Sequence, residues 1–411
     1  MSILDEAFAE KEYMVGERNY FHAHPELGLQ EFNTCRHIEE ELDKIGIPHR
    51  RVAGTNVIAE IEGSAAASSG ARGAGQAVGA NQAVGADGGA SGKTLFLRAD
   101  IDALPIQEEN DVPYKSQNDG VMHACGHDGH AAYLLGAAKL IKAHAGDFRG
   151  KVILCFQAAE EIGKGARDII AAGELDAVDR IFGIHFQAGM DVGKYGIKAG
   201  ADMASCDRFK VVIHGKSAHI TTPQNGADSV FIGALIVSQL QTVVSRLVSP
   251  VEGALIGVGS FHSGTTYNII PGEAVLEGTI RAFSAANRKK LWETVSKIAI
   301  DTAESYGAKA ELFIEDICDP CINPADTAAK VVASAKKIVP EENVLTTIDK
   351  RFGSDNFADY MRKAPGTYVH AGASDSEATR FPHHNDRFDL SENCYPYAAA
   401  LAVQYTLDYL K

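Results

Sequence analysis

Residues 151–161 read KVILCFQAAEE, a short unbroken apolar run ending in two adjacent carboxylates, Glu160 and Glu161. Unbroken rather than alternating hydrophobicity marks a strand covered on both faces, as in the middle of a parallel sheet. Two other stretches share the plan: KTLFLRADID at 93–102 ends in Asp100 and Asp102, and RIFGIHF at 180–186 brings His185 to its end. Helical stretches alternate with these runs, so the fold class expected is α/β, a mixed, largely parallel sheet flanked by helices. Ligands of such sheets gather at the carboxyl ends of the strands, where each run delivers an acid or an imidazole. Without cations, the repulsion and desolvation on so acidic a rim would be hard to sustain.

Between the first and second of these runs lies MHACGHDGHAAYLLGAAKLI, residues 122–141. Cys125, His127, Asp128 and His130 can all bind metal, and they precede helical apolar spacing at Ala131, Leu134, Leu135, Ala138 and Ile141. Residues two apart in an extended segment project to one side, so Cys125 and His127 could grip one ion or an adjacent pair, with Gly126 allowing close approach. The positive end of the following helix favours thiolate over thiol. A tight turn with a buried cysteine and capping histidines is the commoner reading of such spacing on its own, so the decision falls to other stretches.

Residues 5–46 read as helices interrupted at HAHPELGLQE, with His22 and His24 in structural roles. TNVIAEIEG and TLFLRADID read as strands, and the Ala/Gly-rich residues 64–92 between them as a flexible loop at a hairpin tip. From residue 201 the order becomes β-α-β-β-α-β, that of a ferredoxin-like sandwich, which places an inserted α+β domain at 201–313 between segments 1–200 and 314–411 of the first domain. In the returning segment, His383 and His384 sit in a polar loop where either could complete the same rim. Cys318 and Cys321 form a C-x-x-C without the setting of a redox or zinc motif.

The chain has 411 residues, 45% hydrophobic and 23% charged, the profile of a globular protein of two or three domains. Its net charge of -15 argues against nucleic acid or an anionic membrane as partner. No stretch is expected to reach the length of a membrane span, and the acidic N-terminal residues do not resemble a signal peptide, so the cytoplasm is the expected compartment. Seven scattered cysteines fit a reducing environment rather than a disulfide framework.

One thiolate with imidazoles and carboxylates suits zinc, cobalt, nickel or manganese better than magnesium or calcium, and the surplus of ligands implies two ions. Such a pair can activate water and polarise a carbonyl. In Glu160-Glu161, one carboxylate can bind metal while its neighbour moves a proton from the water to a leaving amine.

The blocks HAHPELG, LRADIDALP, MHACGHDGHAAYLLGAA, FQAAEE, GIHF, GKSAH, YNIIPG, GTIRAF and HHNDRFDL occur in this order between His22 and Asp389. Together they resemble the metal-dependent amidohydrolases of the aminoacylase and carboxypeptidase superfamily, above all the subgroup of hippurate hydrolases, N-acyl-amino acid deacylases and indoleacetyl-amino acid hydrolases. The resemblance implies metal ligands Cys125, His127, Glu161, His185 and His384, with His383 as the substitute for the last, and Glu160 as general base. It implies that Asp102 orients a metal-bound imidazole, while Asp100 stands outside the metal set. His219 is implied to reach a facing active site and steady the oxyanion, and Asn268 and Arg281 to hold the substrate carboxylate. A lid formed by the inserted domain and a homodimer through it are implied as well.

Two departures touch the pocket's shape. Ser217-Ala218-His219 stands where relatives have Gly-Gly-His, and Ala158 where Pro is frequent. The activity expected is hydrolysis of the amide of an N-acyl or N-aroyl amino acid by metal-activated water. The alternatives are a dipeptidase or carboxypeptidase with the same mechanism, a Cys125 nucleophile with His127 as base, and a non-catalytic binding protein for carboxylated ligands.

Overall fold

The computed structural model describes residues 1–65 and 92–411. The larger sheet contains β1 (His49–Val52), β2 (Asn56–Ser64), β3 (Thr94–Asp100), β4 (Arg149–Gln157) and β5 (Arg180–Asp191). A second sheet contains β6 (Cys206–His214), β7 (Ala254–Ser263), β8 (Glu273–Ala282) and β9 (Lys309–Cys318), after which β10 (Gly366–Ser374) returns to the first. The larger sheet is 8-stranded in the order β1-β2-β4-β3-β5-β10, extended by the short strands Tyr195–Gly196 and Val344–Leu345. Its centre, β4-β3-β5-β10, is parallel, and β2 joins β4 antiparallel.

The expected hairpin between β2 and β3 does not form, because β4 lies between them. Burial gives the reason. All of β3 is buried, which a place between two parallel neighbours satisfies, whereas β2 ends in exposed Glu62 and Ser64 and takes a place nearer the edge. Most of the 64–92 stretch, residues 66–91, lies outside the described residues. His185 is not at the end of its strand, since β5 continues to Asp191. Yet β3 pairs with β5 only as far as Gly183, so His185 stands just beyond the end of its neighbour, on the rim.

The helix His127–Ala143 crosses one face of this sheet and is buried along most of its 17 residues, wedged among β3, the helix Lys11–Ala23 and the helix Cys394–Tyr409. Its first turn meets the rim, which fixes where Cys125 and His127 stand.

The second sheet is antiparallel throughout, in the order β7-β8-β6-β9. Alternation along β6 buries Phe209, Val211 and Ile213 against Ile236 and Leu240 of the helix Ser229–Leu247 and Leu291 and Val295 of the helix Ala285–Ser305. The strand order is that of a ferredoxin-like sandwich, and β9 runs to Cys318, past the expected edge at 313. A two-stranded ladder, Gly200–Met203 with Cys321–Asn323, bounds the insertion. Arg167 ties it to the first sheet's helices, with Nη2 2.7 Å from Asp316 Oδ1 and Nε 2.8 Å from Asp359 Oδ2.

One expectation about length is corrected. The helix Ser229–Leu247 has 19 residues and a hydropathy of 1.5, long and apolar enough by those measures to cross a membrane. No charge occurs between Asp228 and Arg246, and serines, glutamines and a threonine supply its only polarity. In the fold Ile232, Ile236, Leu240 and Val243 line its sheet-facing side.

Candidate metal centre

Gly126 adopts φ 95°, a left-handed conformation that costs glycine little, and starts the helix immediately after Cys125. His127 Nδ1 lies 2.9 Å from the carbonyl oxygen of Asp102 and 3.3 Å from its Oδ1. Donation from Nδ1 leaves Nε2 as the free lone pair, aimed at the rim. The other carboxylate oxygen of Asp102 accepts the backbone N–H of Glu161 at 3.0 Å, so one aspartate sets two neighbours of the centre. The turn before Glu160 is held by Asn56, which accepts from Ala158 N–H, and by Glu31, which accepts from Ala159 N–H, both at 2.8 Å. His185 donates Nδ1–H to the Phe186 carbonyl at 2.7 Å and turns Nε2 to within 3.5 Å of Cys125 Sγ.

Two triads share the cysteine. Cys125, Glu161 and His384 form one and Cys125, His185 and His383 the other, with the donor atoms of each within 4.8 Å of one another. His384 Nε2 is 3.4 Å from Glu161 Oε1, and His383 Nδ1 is 4.0 Å from the sulfur. Asp100, His127 and Glu160 make a third group by the same measure. The donors fit metal: His127 Nε2 and Glu161 Oε1 are buried and lack hydrogen-bond partners, which a bound cation would remedy. Burial, then the neighbouring His130 and His383, holds His185 well below the ordinary imidazole range, and burial brings His383 down to about 3, so both offer neutral nitrogens. Burial and Glu161 push the Cys125 thiol well up, which disfavours a free thiolate nucleophile and leaves the sulfur to be ionised by a cation.

Two members of the Cys-x-His stretch turn out to serve the scaffold. Asp128 Oδ2 accepts from Arg18 Nε at 2.8 Å and lies 2.7 Å from His22 Nδ1. His130 has Nδ1 2.5 Å from Asp100 Oδ1 and its Nε2 accepts Phe186 N–H at 2.9 Å, so neither nitrogen is left for an ion. Asp100 itself lies against Arg98 Nη1 at 2.7 Å; burial opposes its charge, but Arg98 and the two histidines hold its carboxyl well below the usual range.

Glu160 stands beside the cluster on a separate support. Its Oε1 accepts the Asn356 N–H at 3.1 Å, and Asn356 Oδ1 accepts from Arg98 and Gln157. Burial, Asp355 and Glu161 raise its carboxyl well above the ordinary value. The cleft beside it is also lined by Arg281, Arg351, Gln187, Met203, Cys206 and His370. Arg98, Asp355, Arg351 and His370 were not singled out in the sequence, where none belongs to a ligand-like cluster.

Not every expected residue comes to this cleft. His219 is exposed on the short strand Ala218–His219, which pairs with Ile269–Ile270, and its Nδ1 lies 2.7 Å from Thr221 Oγ1. Asn268 flanks the same ladder, its carbonyl accepting from Ile220 N–H, and neither residue lines the cleft. Arg281 does.

A parallel sheet whose rim gathers a shared cysteine, imidazoles and carboxylates beside a spare glutamate defines a metal-dependent hydrolase of the α/β class. The chain belongs to peptidase family M20/M25/M40, whose model matches residues 96–408. It is 35% identical over 406 residues to the N-acetylcysteine deacetylase of Bacillus subtilis, covering 98% of this chain and 96% of that protein. It is 33% identical to thermostable carboxypeptidase 1 of Saccharolobus solfataricus over 409 residues, 96% of each chain. The solved structure of a dinuclear metal-binding peptidase of the M20 family from Bacillus subtilis superposes with a TM-score of 0.78 at 32% identity, covering 96% of this chain and 98% of that one.

Proposed function

We propose that this protein hydrolyses the amide bond of N-acyl or N-aroyl amino acids with two divalent transition-metal ions, Zn, Mn, Co or Ni, held by Cys125, His127, Glu161, His185 and His384. The observation that carries this reading is the pair of triads meeting at the Cys125 sulfur, with Glu160 beside them on its own scaffold. When bound, the ions supply Lewis acidity toward the amide carbonyl and lower the pKa of the attacking water. Glu160 accepts that water's proton and delivers it to the departing amine nitrogen. Asp102 keeps the His127 ring oriented, and Arg281, anchored by Ser354 Oγ at 2.8 Å, meets the substrate carboxylate with a two-pronged guanidinium.

The inserted sandwich acts as a lid and as the dimer contact, with His219 and Asn268 serving the facing site of a second copy. Their position away from the chain's own cleft, with His219 exposed, supports this, as do the exposed Val230 and Phe231 on the helix Ser229–Leu247. Seven free cysteines support a reducing, cytoplasmic location. Metal analysis paired with a hydrolysis screen of acetyl-, benzoyl- and indoleacetyl-amino acids and a few dipeptides tests the assignment. Turnover that survives exhaustive chelation sinks it, and cleavage of dipeptides alone moves it to the carboxypeptidase activity named for one relative.

A further inference from the structure

Most buried or half-buried arginines in this chain are matched by carboxylates. Arg18 meets Asp128 and Asp389, Arg98 meets Asp100 and Asp355, and Arg288 meets Asp207 and Asp316. The two arginines that line the metal-centre cleft are different. Arg281 is held by the neutral acceptors Thr279 Oγ1 and Ser354 Oγ, Arg351 by Gln187 Oε1, and neither forms an ion pair among the described residues. In a chain of net charge -15, two cations left without counter-charge in one cleft call for an anionic ligand.

The two guanidinium groups are also held at different places. Arg281 comes from the second sheet and leans on Thr279 and Ser354. Arg351 has its backbone pinned on both sides, donating N–H to the Asp202 carbonyl at 2.8 Å and accepting from Ala204 N–H at 3.0 Å. Its side chain reaches Gln187, next to Ala188, whose N–H donates to His383 Nε2 at 3.4 Å, so Arg351 stands toward the metal-centre end.

We propose that Arg351 is a specificity-determining residue that receives a second carboxylate, so that the cleft selects N-acyl amino acids bearing two carboxylates, one met by Arg281 and the other by Arg351. The proposal rests on the amidohydrolase reading of the same cleft. The second carboxylate comes either from the amino-acid side chain or from a dicarboxylic acyl group, and substrates separate the two sources.

On metal-loaded enzyme, N-acetylglutamate and N-succinylmethionine are compared with N-acetylmethionine. One of the two dicarboxylates is expected to exceed N-acetylmethionine in kcat/KM by about tenfold or more, the scale of a charge-assisted hydrogen-bond pair. Arg351→Gln should lower the favoured dicarboxylate by about tenfold more than it lowers N-acetylmethionine, and Arg351→Lys should keep part of the preference. A wild type that favours N-acetylmethionine over both, or an Arg351→Gln variant that lowers all three equally, overturns the proposal. Should none of the three be hydrolysed, the screen of benzoyl- and indoleacetyl-amino acids tests the amidohydrolase reading separately, and calorimetric titration with glutarate and butyrate decides on the second anion site. Tighter binding of glutarate that disappears in Arg351→Gln supports the second anion site, and equal binding of the two acids refutes it.

Discussion

At the scale of single residues, the division between Glu160 and Glu161 makes the sharpest prediction. Glu160 hangs on Asn356 while Glu161 Oε1 is a buried oxygen without a hydrogen-bond partner inside the Cys125 triad. Glu160→Gln should therefore retain bound metal and lose turnover by roughly 10²–10⁴-fold, the usual worth of a general base. Glu161→Ala should lose the metal itself. Metal content measured beside kcat for both variants checks this, and a Glu160→Gln protein that comes out metal-free or fully active contradicts the assignment. Glu160, Glu161 and His185 were legible because acid and imidazole side chains fell at the ends of apolar runs, whereas the choice of Cys125, His127 and His384 as ligands rested on the family resemblance. The scaffold role of Asp128 was not legible for a definite reason: its partners Arg18 and His22 lie 110 and 106 positions away in the chain, a distance that local spacing does not span. Arg98, Asp355 and Arg351 escaped because their roles arise only where β3, β5 and the 351–356 loop converge.

At the scale of elements, the turn between β4 and the helix Gly165–Ala171 delivers both glutamates, and its closure depends on a missing side chain. A Cβ at Gly165 would stand 1.8 Å from the Ala158 carbonyl oxygen, a backbone atom that has no rotamer to move away. Gly165→Ala should therefore push back the segment bearing Glu160 and Glu161, costing about 1–3 kcal/mol of stability and lowering metal affinity. Denaturant midpoints and metal titration measure the two effects, and an unchanged metal affinity would show that the turn does not transmit the strain.

The helix Lys11–Ala23 is tied beneath the centre by His22, whose Nε2 lies 3.0 Å from Glu108 Oε1. Burial and Arg18 oppose charge on His22, yet Asp128 and Glu108 raise its pKa; burial also opposes charge on Glu108, and His22 lowers its pKa. The raised histidine adds stability that is full below its unfolded pKa of about 6.5 and is lost as pH rises through its folded value. The lowered glutamate adds stability that is full above about 4.3 and is lost as pH falls through its folded value. His22→Gln should accordingly cost more at about pH 5.5 than at about pH 9, read as urea midpoints against the wild type. Equal costs at both would mean that the pair contributes packing rather than charge. The elements themselves were largely legible from periodicity, but the order of neighbours was not. β2 and β3 are consecutive in the chain and β4 separates them in the sheet, a choice made by which strand must be buried on both edges.

At the scale of the whole molecule, the β-α-β-β-α-β order from residue 201 was readable because each strand of the sandwich alternates and each helix repeats its apolar face. Whether His219 serves a metal centre is a different kind of question, since a single chain leaves it exposed on the ladder with Ile269–Ile270 and outside its own cleft. Two arrangements can bring it to a metal centre: the lid closes over its own sheet, or the lid of one copy reaches the cleft of another. Complementation separates them. If His219 serves the facing site, Glu160→Gln and His219→Ala are each inactive alone. A mixed dimer of the two contains one cleft with Glu160 intact that receives His219 from the Glu160→Gln partner. Random pairing on co-expression should then restore about a quarter of wild-type activity, because half the dimers are mixed and each has one competent site of two. If His219 closes over its own cleft, every mixed dimer holds one site lacking the base and one lacking the imidazole, and co-expression restores nothing. Activity of the co-expressed, purified mixture against the two homodimers therefore decides whether one chain or two complete the site.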